Sequence, residues 1–322
     1  MSTTPSFLSV DAGSSFFKAA THSEAIRFAS MVHELPAPSR GSLEVEGKHF
    51  VCGDIALDRQ SKLQAQPHQS ADYHGSLTQR VLICEALNRL GGGDYDALIL
   101  NLPYFMRDNP EAANRILQQS KTFEWSTQGT RHTAQMGQVK LLPQGRGAIW
   151  SHLAQVPDRS QLHLVCAVDI GGHTTDVVTL RPGDKLGQQN TVEDASHSCA
   201  VNVAWFWRQL SARIQETPGH DLLGEHFAFY TVMRAIENGS YALRHKNAVI
   251  DVRRAAEQTK KDFTARLLAS VQRIVGEWWG DVDCIVLTGG GAMLVDRQVW
   301  DDGRIVVTDS LANVNGQKYL LN

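Results

Sequence analysis

Two stretches of the sequence, about half a chain apart, place an aspartate at the end of an apolar run and a glycine turn directly after it. The first runs from Val10 to Lys18 (VDAGSSFFK) and the second from Val168 to Val178 (VDIGGHTTDVV). Each returns to apolar residues, so each predicts a strand, a tight turn and a second strand. A carboxylate at a strand end can hold hydrated Mg²⁺, and glycine lets backbone N–H groups approach an anion closely. The two stretches therefore indicate a site for a polyphosphate and its metal ion.

The matching of the two stretches favours a duplicated domain, since two copies at this spacing are too few and too far apart for a solenoid. The second copy ends in Asp176 where the first has Lys18. If the two turns face each other, they hold a polyphosphate between them. Lys18 would then neutralise phosphate charge, while Asp11 and Asp169 would hold Mg²⁺ through water.

A third glycine-rich turn, Gly289 to Gly291, follows the apolar strand Cys284 to Leu287. A turn of this kind after a strand suits the α-phosphate and base of a nucleotide. The sequence contains no GxxxxGK[ST] motif, which excludes a P-loop enzyme, and no GxGxxG follows a strand, which weakens a dinucleotide-binding interpretation.

Composition excludes several other classes of protein. The chain has 322 residues, 42% hydrophobic and 20% charged, with a net charge of −3, so bulk charge does not favour direct nucleic-acid binding. Its five cysteines form no CxxC pair, and we detect no secretory signal, so a reducing cytoplasm is expected. The thirteen histidines lack zinc-site spacing. No apolar run is long enough to span a bilayer, and the C-terminal residues do not predict a membrane-binding helix.

The elements that position these motifs divide into two domains, because a single core stops growing near roughly 250–300 residues. We predict domains at 1–160 and 161–322, with smaller inserts at about 22–75 and 215–250. Arg131 to Leu142 alternates polar and apolar residues and is predicted to be an edge strand. Apolar residues at three- and four-residue spacing predict a helix at 73–90. Further helices are predicted at 109–122, 144–156, 201–214 and 313–321, and 251–279 is predicted to be a long amphipathic helix or a helix pair.

The three motifs together resemble the phosphate 1, phosphate 2 and adenosine motifs of the actin, Hsp70 and sugar-kinase superfamily, in the order found there. Within it the chain is most similar to the ParM-like (StbA) plasmid-segregation bacterial actins. Three further stretches carry this likeness: Leu102-Pro103-Tyr104 through Arg107-Asp108, Leu142-Pro143-Gln144, and the closing helix from Ala312 to Leu320. The actin-like proteins of the PRTRC gene clusters are a candidate subfamily.

The resemblance implies an α/β protein with the actin-like fold: two duplicated RNase H-like domains, each with a mixed five-stranded sheet flanked by helices, and a nucleotide in the cleft between them. It implies a slow Mg²⁺-dependent ATPase, with GTP as the alternative nucleotide, that polymerises head to tail when the nucleotide binds and depolymerises after hydrolysis. It also implies a DNA-binding adaptor protein that couples the filament to plasmid DNA.

The resemblance also assigns roles to residues. Gln144 would orient the attacking water, although ParM-like proteins usually have Glu there, and Asp169 would be the main metal residue. The implied nucleotide-binding residues are Asp11, Gly13, Ser14, Ser15, Lys18, Gly171, Gly172, His173, Thr174, Asp176, Glu257, Lys260, Gly289, Gly290, Gly291 and Ala292. For some of these a plain structural role is an equal or better alternative. Asp176 could face solvent, His173 could be a turn residue, and Glu257 and Lys260 could lie on a solvated helix face.

Two other functions remain as alternatives. A small-molecule kinase of the same fold would need a carboxylate to deprotonate a substrate hydroxyl, and the end of the strand at Leu100 to Pro103 offers Asn101 instead. A nucleotide-dependent scaffold that does not polymerise would need only the binding motifs.

Overall fold

The structure is a computed structural model. It describes residues 5–59, 73–183, 185–187, 190–216, 229–245 and 248–321. The inserts predicted at 22–75 and 215–250 lie partly outside these ranges.

The first sheet contains nine strands in the order β3-β2-β1-β7-β9-β8-β5-β6-β4. Its strands are β1 (Phe7–Ala12), β2 (Phe16–Ala20), β3 (Ala25–Ala29), β4 (Val32–Leu35), β5 (Leu43–Val45), β6 (Lys48–Cys52), β7 (Tyr95–Leu102), β8 (Thr122–Thr127) and β9 (Thr130–Pro143). Strands β1, β7 and β9 run parallel, whereas β2 and β3 are antiparallel to their neighbours.

The second sheet repeats the five-stranded part of the first, with the order β12-β11-β10-β16-β17 and β13 paired to β11. Strand β10 is antiparallel to β11 and parallel to β16, as β1 is to β2 and β7. The strands are β10 (Leu164–Ile170), β11 (Thr175–Arg181), β12 (Asn190–Thr191), β13 (His197–Cys199), the separate hairpin of β14 (Ala242–His245) and β15 (Ala248–Asp251), β16 (Val282–Thr288) and β17 (Ile305–Val307). Each sheet contains the predicted mixed five-stranded arrangement, but the first adds four strands, β8, β5, β6 and β4, and the second adds β13.

Helices cover both sheets because their apolar residues recur on one face. In the long helix over the second sheet, Phe263, Leu267 and Val271 are fully buried, and Phe263 packs edge-on against Phe206 at 5.8 Å. Burying side chains of this size stabilises the fold by about 1.5–3 kcal/mol each. The helices are α1 (Gly53–Arg59), α2 (Leu77–Arg89), α3 (Pro110–Gln119), α4 (Arg146–Leu153), α5 (Val203–Gln215), α6 (Phe229–Glu237), α7 (Arg253–Val275) and α8 (Ala312–Gly316).

The prediction of an edge strand at Arg131 to Leu142 is wrong. Strand β9 pairs with β8 along its first half and with β7 along its second half, so it joins the two parts of the first sheet. The alternation arises because residues such as His132 and Ala134 face inward while Arg131 and Gln135 face solvent. A solvated face and a free edge give the same period-two pattern.

The chain crosses between the two sheets twice. Helix α4 follows β9 of the first sheet but buries Ala148 and Ile149 in a core cluster with Val165 and Val178 of the second. The segment that begins with α8 returns, since Leu320 packs against Phe7, Ala97 and Ile99 of the first sheet. The division at 160/161 did not anticipate this return, and the domain boundaries stay a prediction.

Candidate functional site

The two aspartate–glycine hairpins have the same backbone. Asp11 pairs across the strands with Lys18, and Asp169 pairs at the matching position with Asp176. Both turns are also tight at their first glycine, because a Cβ on Gly13 would lie 2.7 Å from the Phe16 oxygen and one on Gly171 2.8 Å from the Thr174 oxygen. Glycine is needed at these two positions because no side chain fits so close to the backbone.

The tips of the two turns face each other across the gap between the sheets. A Cβ on Gly172 would lie 2.3 Å from the Ser14 hydroxyl and 2.6 Å from the Ser15 hydroxyl. The sequence-based expectation that the turns face each other therefore agrees with the geometry. A ligand between the sheets would meet backbone and hydroxyl groups from both turns.

The backbone carbonyl oxygens of both turns accept hydrogen bonds from neighbouring segments of the chain. Ser30 donates its N–H to the Ser15 oxygen (3.0 Å) and its hydroxyl to the Gly13 oxygen. In the second turn the first N–H groups of α5 bond to the oxygens of Gly171 (3.1 Å) and Gly172 (2.9 Å). With these acceptors engaged, fewer oxygens remain to repel an anion in the gap.

The first hairpin carries a buried ion pair. Nζ of Lys18 lies 2.8 Å from Oδ2 of Asp11, and the two residues are 5% and 1% exposed. Burial alone would lower the pKa of Lys18, but the carboxylates of Asp11 and Asp169 outweigh it and raise the pKa above its ordinary value. Nε2 of Gln144 donates to the other Asp11 oxygen at 3.0 Å, so Gln144 lies beside this pair.

Asp169 is the counterpart of Asp11 but lacks a lysine across the strands. A Cβ on Gly289 would lie 2.3 Å from its Oδ1, which places Asp169 directly against the triple-glycine turn. Its Oδ2 accepts a hydrogen bond from the Asn313 amide at 3.3 Å. Burial raises the pKa of Asp169 to about 7, the charge of Asp11 adds to the rise, and Lys18 opposes it. A carboxyl group in this setting favours a nearby cation.

The triple-glycine turn begins where β16 ends, one position past Thr288, the parallel-strand partner of Asp169. Gly289 has a φ of +84°, and a Cβ on Gly290 would meet nothing within 4 Å. Ala292 is buried and starts a short 3-10 turn. Gly290 is therefore the position in this turn with open space in front of it.

Asp176 is directed towards the segment at the end of the first sheet. Its carboxylate accepts from the Tyr104 N–H at 2.7 Å, from the Thr174 hydroxyl at 3.1 Å and from the Ser198 hydroxyl. Burial raises its pKa to about 6, although these hydrogen bonds oppose the rise. Asp176 is buried, so it does not face solvent. Its hydrogen bond to Tyr104 joins the two halves of the molecule. A direct role towards the cofactor stays a prediction.

The remaining predicted residues are not all gathered at the gap. His173 is half-buried, its Nδ1 has no partner among the described residues, and burial lowers its pKa. Lys260 donates to the Tyr241 hydroxyl at 3.3 Å, and Glu257 is exposed on α7. The described residues show no hydrogen bond from either to the glycine turns, so their role at the base and ribose stays a prediction.

Sequence reasoning missed Asn313, which contacts Asp169, and Gln317, which contacts the first sheet. Both are polar and almost fully buried, at 1% and 0% exposed. Their spacing of four residues was the available signal, in a closing segment that also contains the polar residues Asn315 and Lys318. Buried amides are rare unless hydrogen-bonded.

Family models match both halves of the chain. Residues 9–147 match the N-terminal domain of actin like proteins. Residues 167–301 match the C-terminal domain of the archaeal actin homologue, MreB-like. Together the two models cover most of the chain and include both hairpins. No curated protein matches the chain in sequence.

Solved structures share the fold over nearly the whole chain. Ta0583, an archaeal actin homologue, superposes with a TM-score of 0.81 at 19% identity, covering 97% of this chain and 98% of that one. The structure of its complex with ADP superposes with a TM-score of 0.77 at 20% sequence identity, covering 97% of each chain. A 15-stranded ParM filament from Clostridium botulinum superposes with a TM-score of 0.77 at 16% sequence identity, covering 99% of this chain and 98% of that one.

These likenesses confirm the predicted actin-like fold, while the PRTRC subfamily stays a prediction. The described residues contain no helix long and apolar enough to cross a membrane. The matches to both family models agree with the resemblance drawn from the sequence motifs, and the chain belongs to the actin-like proteins, with ParM-like bacterial actins among its structural neighbours.

Proposed function

We propose that this protein is an actin-like, Mg²⁺-dependent ATPase that polymerises when nucleotide binds and depolymerises after hydrolysis. The observation that supports it most directly is the approach of Gly172 to Ser14 and Ser15, which brings the two hairpin turns together across the gap between the sheets. A polyphosphate between the turns would bind both halves of the molecule at once.

The residues present fit a nucleotide with its Mg²⁺ ion. Lys18 supplies a buried positive charge, and Ser14, Ser15, Gly172, His173 and Thr174 line the two turns. Asp169 is a buried carboxyl group whose pKa is raised to about 7 by burial and by the neighbouring charge of Asp11. The described residues hold no group of three or more His, Cys, Asp and Glu that could bind a metal directly. This fits an ion held through water by one or two carboxylates, which is how Mg²⁺ commonly binds.

Each side chain then has a defined task. Lys18 holds phosphate charge, and Asp11 fixes the position of Lys18. Asp169 would orient the metal's water shell, and the ion neutralises the polyphosphate. Gly289, Gly290, Gly291 and Ala292 would receive the α-phosphate and base, with Glu257 and Lys260 towards the ribose and base.

Gln144 would orient the attacking water, and the hydrogen bond from its amide to Asp11 in the first hairpin supports this role. A glutamine positions water but does not readily accept its proton. We therefore propose slow hydrolysis, on the order of 0.01 per second, which corresponds to a barrier of roughly 20 kcal/mol.

Polymerisation follows from a bound nucleotide that favours one arrangement of the two halves. Head-to-tail contacts that do not close on themselves give filaments, and the shift can be no larger than the difference in nucleotide affinity between the two states. The similarity to a ParM filament supports this step. We extend the proposal to plasmid DNA segregation in the cytoplasm through a DNA-binding adaptor, without direct DNA binding or membrane attachment.

A small-molecule kinase is less well supported. Asn101, at the strand end where a kinase would place its catalytic carboxylate, is fully buried. Its amide donates to the Val10 oxygen at 3.0 Å, and its own oxygen accepts from Gln317. A residue engaged in this way is not accessible to a substrate hydroxyl.

Light scattering tests the proposal, with phosphate release followed in the same sample. Purified protein at micromolar to tens-of-micromolar concentration receives Mg-ATP, and a parallel sample receives Mg-ADP. We expect scattering to rise with ATP and to decay as phosphate appears. Nucleotide binding or phosphate release without scattering would contradict the filament and leave a kinase or a nucleotide-gated scaffold. A dependence of phosphate release on added small-molecule acceptors would identify the kinase.

A further inference from the structure

The C-terminal residues 312–321, here called the strap, connect the two aspartate strands from behind. The strap consists of α8 (Ala312–Gly316) and a 3-10 turn, Gln317–Leu321. Two buried amide side chains, Asn313 and Gln317, point from it into opposite halves of the molecule.

Asn313 connects the strap to the second hairpin. Its Nδ2 donates to Oδ2 of Asp169 at 3.3 Å, on the carboxylate proposed to orient the metal. Its Oδ1 is buried and has no hydrogen-bond partner among the described residues. A buried amide oxygen without a partner is unfavourable. Among the described residues, the hydrogen bond to Asp169 is the polar interaction that holds this side chain.

Gln317 connects the strap to the first hairpin. Its Oε1 accepts from the Ser9 hydroxyl at 2.9 Å, and its Nε2 donates to Oδ1 of Asn101. Asn101 in turn donates to the oxygen of Val10 at 3.0 Å. Val10 directly precedes Asp11, so these hydrogen bonds run from the strap to the backbone that carries the first aspartate.

The strap cannot slide freely between these two attachments. It crosses α4 with its backbone in contact, since a Cβ on Gly316 would lie 1.8 Å from the Gly147 oxygen and one on Gly147 1.9 Å from the Asn313 oxygen. Close-packed elements move between discrete arrangements rather than deforming smoothly. A shift at Asn313 is therefore transmitted to Gln317, about one turn of helix away.

We propose that Asn313 and Gln317 are positioning residues of the nucleotide site, and that the strap couples the orientation of Asp169 to the strand that carries Asp11. This inference rests on the proposed function for its meaning, because the coupled carboxylates are those of the proposed Mg-nucleotide site. In this arrangement one metal-dependent change at Asp169 reaches both halves of the molecule.

The first test separates the magnesium requirement from nucleotide affinity. Nucleotide binding by the full chain is titrated in EDTA and at increasing Mg²⁺ for wild type, Asn313→Ala and Gln317→Leu. Both variants should need about tenfold more Mg²⁺ for half-maximal tight binding, as partners of metal-orienting groups commonly do, while affinity in EDTA is retained. The increase in the Mg²⁺ requirement of the double variant should be smaller than the two single-variant increases combined.

Two controls address a merely structural role. Lys318→Gln alters an exposed residue of the strap and should leave the magnesium requirement unchanged. Val271→Ala opens a cavity at a fully buried position of α7, away from the strap. It serves as the destabilised control, and urea denaturation compares its stability with that of Gln317→Leu. If Gln317→Leu weakens binding equally with and without Mg²⁺, as this cavity variant would, the positioning role is overturned.

The second test needs no ligand. Hydrogen exchange of Asn313→Ala is compared with wild type in the apo protein. Coupling predicts about tenfold faster exchange in the strap and also in β1 near Val10, whereas a change confined to α8 would overturn the strap's role. If wild type binds no Mg-nucleotide, the proposed function has failed, and hydrogen exchange still decides whether the strap couples the two halves.

Discussion

In the first hairpin Asp11 faces Lys18 across the strands, whereas in the second the matching Asp169 faces another carboxylate, Asp176. The backbones agree in register and in the tight contacts at Gly13 and Gly171. The first hairpin is therefore neutral within itself, because its buried aspartate has a buried lysine at 2.8 Å. The second holds two buried carboxyl groups whose pKa values are raised to about 7 and about 6.

This difference shows how a duplicated hairpin can be divided between two tasks. On the proposed function, the neutral copy would hold a fixed cation for phosphate, and the acidic copy would leave room for a cation that arrives with the nucleotide. Asp176, which takes the place of the lysine, accepts a hydrogen bond from Tyr104, which lies just after β7 of the other sheet. Charge, more than backbone shape, separates the two halves of the site.

The largest effect should come from forcing the two hairpins apart. Gly172→Val places a branched side chain where a Cβ already meets Ser14 and Ser15, so we expect nucleotide affinity to fall at least about 100-fold, or roughly 2.7 kcal/mol. A fluorescent-nucleotide titration measures this, with circular dichroism to verify the fold. Gly280→Val, at a glycine whose Cβ would meet nothing within 4 Å, is the control. Near-normal affinity in Gly172→Val would show that the ligand does not lie between the turns.

Neutralising the two aspartates should change the free energy of unfolding of the nucleotide-free protein in opposite directions. Asp11→Asn leaves Lys18 buried without its charged partner and should destabilise the protein by about 3–5 kcal/mol. Asp169→Asn removes a buried charge that is poorly compensated, and should stabilise it by about 1–2 kcal/mol at pH 8. Urea denaturation in EDTA measures both. Equal losses of stability in the two variants would remove the contrast between the hairpins.

The pH dependence of the free energy of unfolding should reflect the two buried carboxyl groups of the second hairpin. The folded pKa values of Asp169 and Asp176, about 7 and about 6, lie above the value of about 4 in an unfolded chain. The folded protein therefore binds more protons between about pH 4 and pH 7, and its free energy of unfolding falls as pH rises through that window.

Urea denaturation between pH 5 and pH 8, without metal, tests this dependence. Asp169→Asn should remove up to about 1.4 kcal/mol per pH unit from the slope near pH 6. Added Mg²⁺ and nucleotide should reverse the trend, because they favour the ionised carboxylate. A slope that Asp169→Asn leaves unchanged would mean that Asp169 is already ionised in the apo protein.

The smallest effect on nucleotide binding is expected at Asp176. Because its carboxylate bonds Tyr104, Thr174 and Ser198, Asp176→Asn should change Mg-nucleotide affinity by no more than about threefold, or 0.65 kcal/mol. The melting temperature should fall, because the contact between the two halves of the molecule at Tyr104 is weakened. If the variant loses its magnesium response as fully as Asp169→Asn, Asp176 belongs to the metal site.

The sequence was sufficient to predict the local parts of this site. An apolar run, an aspartate, glycines and a second apolar run define a hairpin through interactions within some ten residues, which is why Asp11, Gly13, Asp169 and Gly171 fell where their motifs placed them. The repeat of the pattern predicted the duplicated sheets for the same reason.

Contacts between distant segments could not be predicted in this way. The direction of the Asp176 side chain depends on the loop at Tyr104, which reaches it from the other sheet. The polar spacing of Asn313 and Gln317 was visible, but their partners lie 144 and 308 residues away along the chain, at Asp169 and Ser9. Strand β9 was misjudged because a solvated face and a free edge share one pattern.

Calorimetric titration of the wild-type chain with ADP, in Mg²⁺ and in EDTA, tests the central claim most directly. If the neutral and acidic hairpins form one site, one nucleotide binds per chain, and its affinity falls at least about tenfold, or 1.4 kcal/mol, when the metal is removed. Absence of binding at micromolar protein, or an affinity that does not respond to Mg²⁺, would contradict the division of charge between the two hairpins.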